Sequence, residues 1–364
     1  ISYSNTSLEI GSVNILENEN RVPVNYVLPP GVQREEINSN STIIRQNEQS
    51  LSLKVNDLQP SDSKGVYKMI DYDMRQYKSL KMFIHAESIE GSNKLPGEGA
   101  EDEFDKRLVG FLRLGSDLTE NYYQIEIPLK PTSYNNGSSN RFSADQVWNP
   151  DSNSIDFSLE KLTKIKAIAM NQADFSKPIY FNENLDIIDE FSAISQLPGE
   201  KKYKFAIKGN PTIGSIKNIM IGVKNPSQNL GDILSAEVWF NELRLSDIDG
   251  KGGWSALASL DANLADFANI SVSAKMSTIG FGSIDKSPNQ RSREDLKQYG
   301  LMSSLNLGKV LPEKWKMQIP VSYSISEEFS TPEYDPFYQD IKLDDRLSSA
   351  TRVSQRDSIK NQAI

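Results

Sequence analysis

Residues Trp254 to Ser326 alternate apolar and polar side chains with a period of two, a pattern that an extended strand with one greasy and one wet face satisfies and a helix does not. In the last segment Trp315, Met317, Ile319, Val321, Tyr323 and Ile325 share one face, while Lys316, Gln318, Pro320, Ser322, Ser324 and Ser326 share the other. The first segment sets Trp254, Ala256, Ala258, Leu260 and Leu264 against Ser255, Ser259, Asp261 and Asn263. The second sets Ile270, Val272, Ala274 and Met276 against Asn269, Ser271, Ser273, Lys275 and Ser277, and the third sets Tyr299, Leu301, Leu305 and Leu307 against Gln298, Ser304 and Asn306. Each runs about 10 residues, the length a tilted strand needs to cross a bilayer.

A soluble antiparallel sheet with one buried face has the same period. Two details favour a membrane barrel wall. Trp254, Tyr299, Trp315 and Phe281 lie at or near segment ends, where aromatic girdles meet lipid headgroups. The connections also alternate in length: short after Leu264, long from Ser283 to Lys297, tighter from Gly308 to Lys314, and long after Glu327. On this reading lipid meets Trp254, Ala256, Leu260, Val272, Met276, Leu301, Leu305, Met317, Ile319, Val321 and Tyr323. The lumen meets Ser255, Ser259, Asp261, Asn263, Ser271, Ser273, Lys275, Lys316, Gln318, Ser322 and Ser324.

A barrel closes with at least ~8 strands, and four leave two open edges that lipid cannot satisfy. Ile1 is not an initiator residue and no signal peptide opens the chain, so the expectation is a piece of a longer protein whose other strands complete the wall. The 364 residues, 37% hydrophobic, allow one sizeable core and a second domain. A net charge of -9, with no Lys/Arg run free of acidic neighbours, argues against nucleic acid. No apolar run approaches the ~18 residues of a membrane helix, so any crossing is by strands. The absence of cysteine excludes disulfides, thiolate metal sites and a cysteine nucleophile.

Before about Gly250 the pattern changes to short β segments broken by Gly, Pro, Asn and Asp, which predicts a jelly-roll-like two-sheet sandwich. Predicted strands are Ser50 to Val55, Ser79 to Ala86, Leu108 to Leu114, Tyr122 to Leu129, Lys204 to Ile207, Ile216 to Val223 and Ala236 to Leu245. A helix is predicted from Ser158, through Leu159, Leu162 and Ile165, to about Asn171. Val238 and Phe240 occupy even positions but Leu243 and Leu245 odd ones, which calls for a bulge near Asn241 and Glu242. Lys251, Gly252 and Gly253 read as a hinge. The resulting division is a sandwich over 1–250, four barrel strands over 251–330 and a long polar loop over 331–364.

Catalytic chemistry finds little footing. His85 is the only histidine, and its strand setting favours a side chain bonded to a neighbour. The acidic run Glu101, Asp102, Glu103 and Asp105 lacks the spaced oxygens and the glycine of a calcium loop. Glu242 and Arg244 make a same-face ion pair. Gly280-Phe281-Gly282 ends a strand and opens no nucleotide-binding helix. The expectation is no enzyme, no cofactor and no metal.

Several strings are specific enough to carry a family resemblance. Asn47-Glu48-Gln49-Ser50-Leu51-Ser52-Leu53, Asp73-Met74-Arg75-Gln76-Tyr77 with Lys81-Met82-Phe83-Ile84-His85-Ala86-Glu87, and Arg113-Leu114-Gly115-Ser116-Asp117 with Asn121-Tyr122-Tyr123 are three. Val238-Trp239-Phe240-Asn241-Glu242-Leu243-Arg244-Leu245 and Thr331-Pro332-Glu333-Tyr334-Asp335-Pro336 are two more. Together they resemble the SprA/Sov family, large outer-membrane translocons of the Bacteroidota type IX secretion system, tied to gliding motility. The resemblance implies a wide single-chain barrel that passes secreted cargo proteins, partnered by a PorV-type outer-membrane barrel and a periplasmic plug protein. It implies no catalytic residues.

A second reading is a surface carbohydrate-binding or adhesion module using Trp148 and Tyr134 as exposed aromatics; a lectin has no reason to end in four amphipathic strands. A glycosidase would need two opposed carboxylates, and nothing selects a pair. Loop parity, with short turns on the periplasmic side, places the sandwich on the extracellular side of the outer membrane.

Overall fold

The computed structural model describes residues 5–34, 36–39, 42–98, 104–134, 141–170, 174, 176–192, 203–286, 290–349 and 352–363. Its strands are β1 (Ser7–Asn14), β2 (Glu36–Ser39), β3 (Thr42–Arg45), β4 (Gln49–Leu58), β5 (Ser63–Tyr72), β6 (Tyr77–Ser88), β7 (Val109–Gly115), β8 (Tyr122–Pro128) and β9 (Ser154–Ser158). They continue with β10 (Ile179–Phe181), β11 (Ile187–Ile188), β12 (Lys204–Lys208), β13 (Ile216–Lys224), β14 (Leu234–Ile248), β15 (Ser255–Leu264), β16 (Ala268–Ser277), β17 (Glu294–Asn306) and β18 (Pro320–Pro332). The helices are α1 (Ile15–Asn18), α2 (Ala144–Val147), α3 (Glu160–Ala169), α4 (Leu343–Ser349) and α5 (Val353–Ala363). The chain is mainly β and divides into two units, Ile1–Asp247 and Ile248–Ile364.

The first unit is a two-sheet sandwich. One sheet has the order β1-β4-β14-β6-β9 and the other β11-β10-β12-β8-β7-β13-β5. Their facing sides form one core, with Leu53 and Val55 of β4 and Leu80, Met82 and Ile84 of β6 on one side. Leu112, Leu114, Tyr123, Ile125, Ile127, Phe205 and Ile207 of β7, β8 and β12 supply the other. These are alternate residues along each strand, as a half-buried strand requires. All seven predicted strands are present, each within a few residues of its expected limits.

The parity break in β14 is real and has a local cause. Glu242 takes a left-handed backbone (φ 52°), so Val238 and Phe240 before it and Leu243 and Leu245 after it all reach the same core. The predicted helix is α3, but Ser158 closes β9 instead of capping it, and Leu159 occupies the cap position. Leu162, Ile165 and Ala169 are its buried stripe. Strands β1, β5, β9, β10, β11 and the β2–β3 hairpin escaped the sequence reading. β5 shows why: it is a sheet edge with Tyr67 64% and Met69 77% exposed, so no inward/outward contrast marks it.

The second unit is an antiparallel meander, β15-β16-β17-β18. Three of its strands fall where the alternation placed them. The fourth does not. β18 begins at Pro320, because Glu313–Trp315 form a 3-10 turn and Lys316 takes φ 45°. Lys316, Met317, Gln318 and Ile319 therefore precede the strand, and the link from β17 spans 307–319 instead of the tighter Gly308 to Lys314. Trp254 lies one residue before β15, although Thr278 still donates to its carbonyl at 2.9 Å. The stretch expected as a polar loop after residue 331 is also structured: Tyr334 bridges Lys342, and α4 and α5 follow. There Asp335, 1% exposed, is paired with Arg346 and accepts the Phe337 and Tyr338 amides at 2.8 and 3.0 Å.

Candidate functional site: a two-faced sheet and a buried charge network

The register of the meander decides which side chains share a face. Leu260 pairs with Val272, Val272 with Leu301, and Leu301 with Ile325; Leu264, Ala268, Leu305 and Val321 form the row at one end. Ala256, Met276, Tyr299 and Tyr323 lie on the same face by the same register. Ser255, Ser259, Asp261, Asn263, Ser271, Ser273, Lys275, Ser322 and Ser324 lie on the opposite one. Each face has exceptions: Ser303 interrupts the apolar one, and Leu257 and Met302 the polar one. Met317, Ile319, Lys316 and Gln318 belong to neither, since they lie outside β18, although Leu307 continues the ladder by donating to the Ile319 carbonyl at 2.9 Å.

The apolar face is uncovered. Leu260 is 65%, Tyr323 53%, Leu264 52% and Val272 38% exposed, in one continuous surface across four strands. Aqueous exposure of a contiguous apolar face this large is unfavourable at about 25 cal/mol per Å², so such a face marks an interaction with something apolar. An open hollow of about 620 Å³ lies at Asp261, Asn263, Ser271, Ser304, Ser322 and Ser324, with Ala262, Ile270, Met302 and Tyr323 also on its lining.

The apolar run ends at a different level on each strand. On β16 it reaches Met276, whose partner on β17 is Lys297; on β17 it stops at Tyr299, whose partner on β18 is Glu327; on β18 it stops at Ile325. Each step down is one cross-strand pair. A planar apolar slab cutting inclined strands produces such a diagonal rim; the opposite rim, Leu264, Ala268, Leu305 and Val321, is level, so the run shortens from nine residues on β16 (268–276) to five on β18 (321–325). Tyr299 hydrogen-bonds Glu327 and stacks on Phe329 at 6.0 Å on this boundary. Tyr299 thus lies at the end of the apolar run but in the interior of β17, not at a strand end.

A second constellation lies on the outer side of the five-stranded sheet of the first unit. Arg21, in the segment after α1, is 2.6 Å from the Glu87 carboxylate and 2.7 Å from that of Glu237, and its guanidinium sits 5.1 Å from the Trp239 ring. Glu237 also accepts the Trp239 indole at 2.8 Å and the Ser52 hydroxyl at 3.0 Å. Burial works against the Arg21 charge, yet Glu87 and then Glu237 hold its pKa above the ordinary value. The His85 ring packs against Trp239 at 4.2 Å, tilted by 36°, with ring nitrogens 2.8 Å from the Val147 carbonyl and 3.3 Å from Glu87. It is a fully buried histidine bonded to its neighbours, as its strand setting suggested. Tyr26 completes the cluster, bonded to Glu48 and to Ser50 at 2.8 Å, while Asn241 donates to Glu48 at 2.5 Å. Desolvation first, then Glu48, pushes the Tyr26 pKa up.

Three of the family-like strings, those around Glu48, His85 and Trp239, thus meet in one network. Sequence reading missed Arg21, Tyr26 and Glu237, because no period links a charged residue in an irregular segment to a strand two hundred residues away. Trp148 and Tyr134 belong here too, 0% and 6% exposed. They are cover for the sheet and offer no exposed platform for a sugar. Glu242 and Arg244 approach to 3.8 Å. In the acidic run, 99–103 lie outside the described residues and Asp105 sits in a 3-10 turn, Phe104–Lys106.

Residues 1–347 match the family model SprA_N, described as a motility related/secretion protein. No curated protein matches the chain.

Proposed function

The chain belongs to the SprA_N family of motility-related secretion proteins, and from that premise we propose that β15 to β18 are part of the wall of a protein-conducting outer-membrane barrel, the translocon of the type IX secretion system of Bacteroidota. The observation that carries this reading is the uncovered apolar face with its diagonal boundary, set back to back with a mainly polar face. Lipid covers the first and the conduit holds the second. The open edges at β15 and β18 are completed by further strands of the same long chain. A PorV-type barrel, a periplasmic plug and secreted cargo proteins are its partners. The chain itself binds no cofactor, metal or nucleic acid and catalyses nothing.

Val321 is only the second residue of β18, near the rim of the apolar band, so Val272 in the middle of β16 is the more telling site. In the intact protein Val272→Arg should cost roughly 2–4 kcal/mol if its face meets hydrocarbon. Ser273→Arg, on the other face, should assemble normally. Equal yields of heat-resistant, membrane-inserted protein from the two variants would rule the assignment out.

A further inference from the structure

The outer side of the seven-stranded sheet carries a polar floor that is buried although it points away from the core. Tyr122, Gln124 and Glu126 of β8, Lys204 of β12 and Tyr180 of β10 are each at most 9% exposed. Arg113 covers one end of this floor, with its guanidinium 3.9 Å from the Tyr122 ring and its Nε donating to Gln124 at 2.8 Å, and the turn from Asp189 to Ser192, which follows the edge strand β11, covers the Lys204 end. The grip of that turn is polar: Lys204 Nζ donates to the Glu190 carbonyl at 2.7 Å and the Ser192 carbonyl at 3.1 Å. Lys224 Nζ lies 3.0 Å from the Glu190 carboxylate and 3.5 Å from Glu126. Gln124 donates to Glu126 at 2.6 Å, fixing the carboxylate between the two ammonium groups. Phe191, the apolar residue of the turn, is 50% exposed and borders the cavity beneath the turn. A cavity of about 70 Å³ remains between turn and floor, bordered on its far side by Phe104, Asp105 and Arg107.

Buried ammonium groups need partners, and here one short turn supplies two carbonyls and a carboxylate. Desolvation draws the Lys204 pKa down, partly offset by Glu126, so its stake in those carbonyls is high. A ligand presenting the same three groups replaces the turn contact for contact. We propose that this floor is a binding site for an acidic peptide segment, and that the turn Asp189 to Ser192 fills it as an internal mimic of that ligand. The ligand pattern is an extended chain with an acidic residue whose carboxylate meets Lys224 and whose carbonyl, with the carbonyl two residues on, meets Lys204. The residue between them is apolar, as Phe191 is, and borders the cavity. The inference is independent of the barrel reading and concerns the first unit alone.

The probe is the labelled peptide acetyl-Asp-Glu-Phe-Ser-amide, titrated against the whole chain and its Glu190→Gln variant. Weakening the internal mimic frees the site, so the variant is expected to bind the peptide at least 5-fold more tightly than the parent chain. Lys224→Gln added to Glu190→Gln should abolish saturable binding. Should that double variant fail to fold, acetyl-Asp-Gln-Phe-Ser-amide decides the same point: without its carboxylate it should bind Glu190→Gln at least 10-fold more weakly. Hydrogen exchange at 189–192 should be faster in Glu190→Gln than in the parent. Absence of saturable binding to Glu190→Gln, or equal binding of the two peptides, overturns the proposal.

Discussion

Arg21 is the residue on which the first unit's cover most depends. It is the cation closest to both Glu87, whose side chain is 2% exposed, and Glu237. Arg21→Met removes that cation and leaves Glu87 with only His85 and Glu237 with only the Ser52 hydroxyl and the Trp239 indole of the partners described, so urea unfolding should show a loss of about 3 kcal/mol, the lower end of the range for a broken buried pair. A midpoint unchanged from the parent would mean that the network is ornamental. Asp117 gives a different kind of expectation, in pH. Desolvation opposes its ionisation, but the amides of Glu120, Thr119 and Asn121 and the Asn121 side chain hold its pKa below the ordinary carboxylate value. A depressed folded-state pKa contributes stability above the unfolded value of about 3.9 and loses it as pH falls through the folded value. The parent should therefore exceed Asp117→Asn in stability at pH 6, with the gap constant down to about pH 5 and shrinking as pH falls below the unfolded value. A gap independent of pH would contradict the assignment.

At the scale of elements, close approach and backbone sign explain what alternation does not. On the outer side of the seven-stranded sheet the Phe111 ring lies across β13 and β5, where Gly222 faces Gly65. A Cβ on Gly222 would meet the Lys64 carbonyl oxygen at 2.3 Å and the Phe111 ring at 2.6 Å. The first contact is backbone and cannot swing aside, so Gly222→Ala should cost about 3 kcal/mol, at the upper end of overpacking penalties. For a unit of this size that is a melting-temperature drop of roughly 6–12 °C by calorimetry. Gly11→Ala, on edge strand β1 with nothing within 4 Å, is the control and should be neutral or slightly stabilising. The late start of β18 has a similar origin: a left-handed Lys316 breaks an alternation that remains unbroken in the letters. Gly308 fits under the Met317 carbonyl, where a Cβ would lie 2.1 Å from the oxygen, and so lets the 307–319 link fold back.

At the scale of the whole molecule, the proposed barrel reading allows two orientations, and the two ends of the sheet distinguish them. The register puts Ser255, Ser277, Leu296 and Ser330 on one row, so the chain from the sandwich, the 278–293 link and the segment after β18 all join the same end. The other end carries the 265–267 turn and the 307–319 link, which is longer than the sequence suggested and leaves loop length a weaker guide. With the short turn periplasmic, the proposed topology puts the sandwich outside. Single cysteines at Asp151 and Asp266, in an otherwise cysteine-free background, should react with an impermeant maleimide on intact cells at Asp151 only. Reaction confined to Asp266 would invert the topology.

Period and turn chemistry alone determined most of the strands β15 to β18, because a strand with one apolar face must repeat every two residues and the letters record that directly. They also determined the faces of Leu260, Val272, Leu301 and Ser322, and the need for a break near Glu242. What only the tertiary structure decided was non-local: the partnership of Arg21 with Glu237 across most of the first unit, the burial of Trp148 and Tyr134, and the edge strand β5. Those depend on which surfaces meet, and a local pattern carries no information about a neighbour supplied by a distant segment. The diagonal rim of the apolar face lies between the two. Its residues are plain in the sequence, but the register that lines them up exists only in the folded sheet.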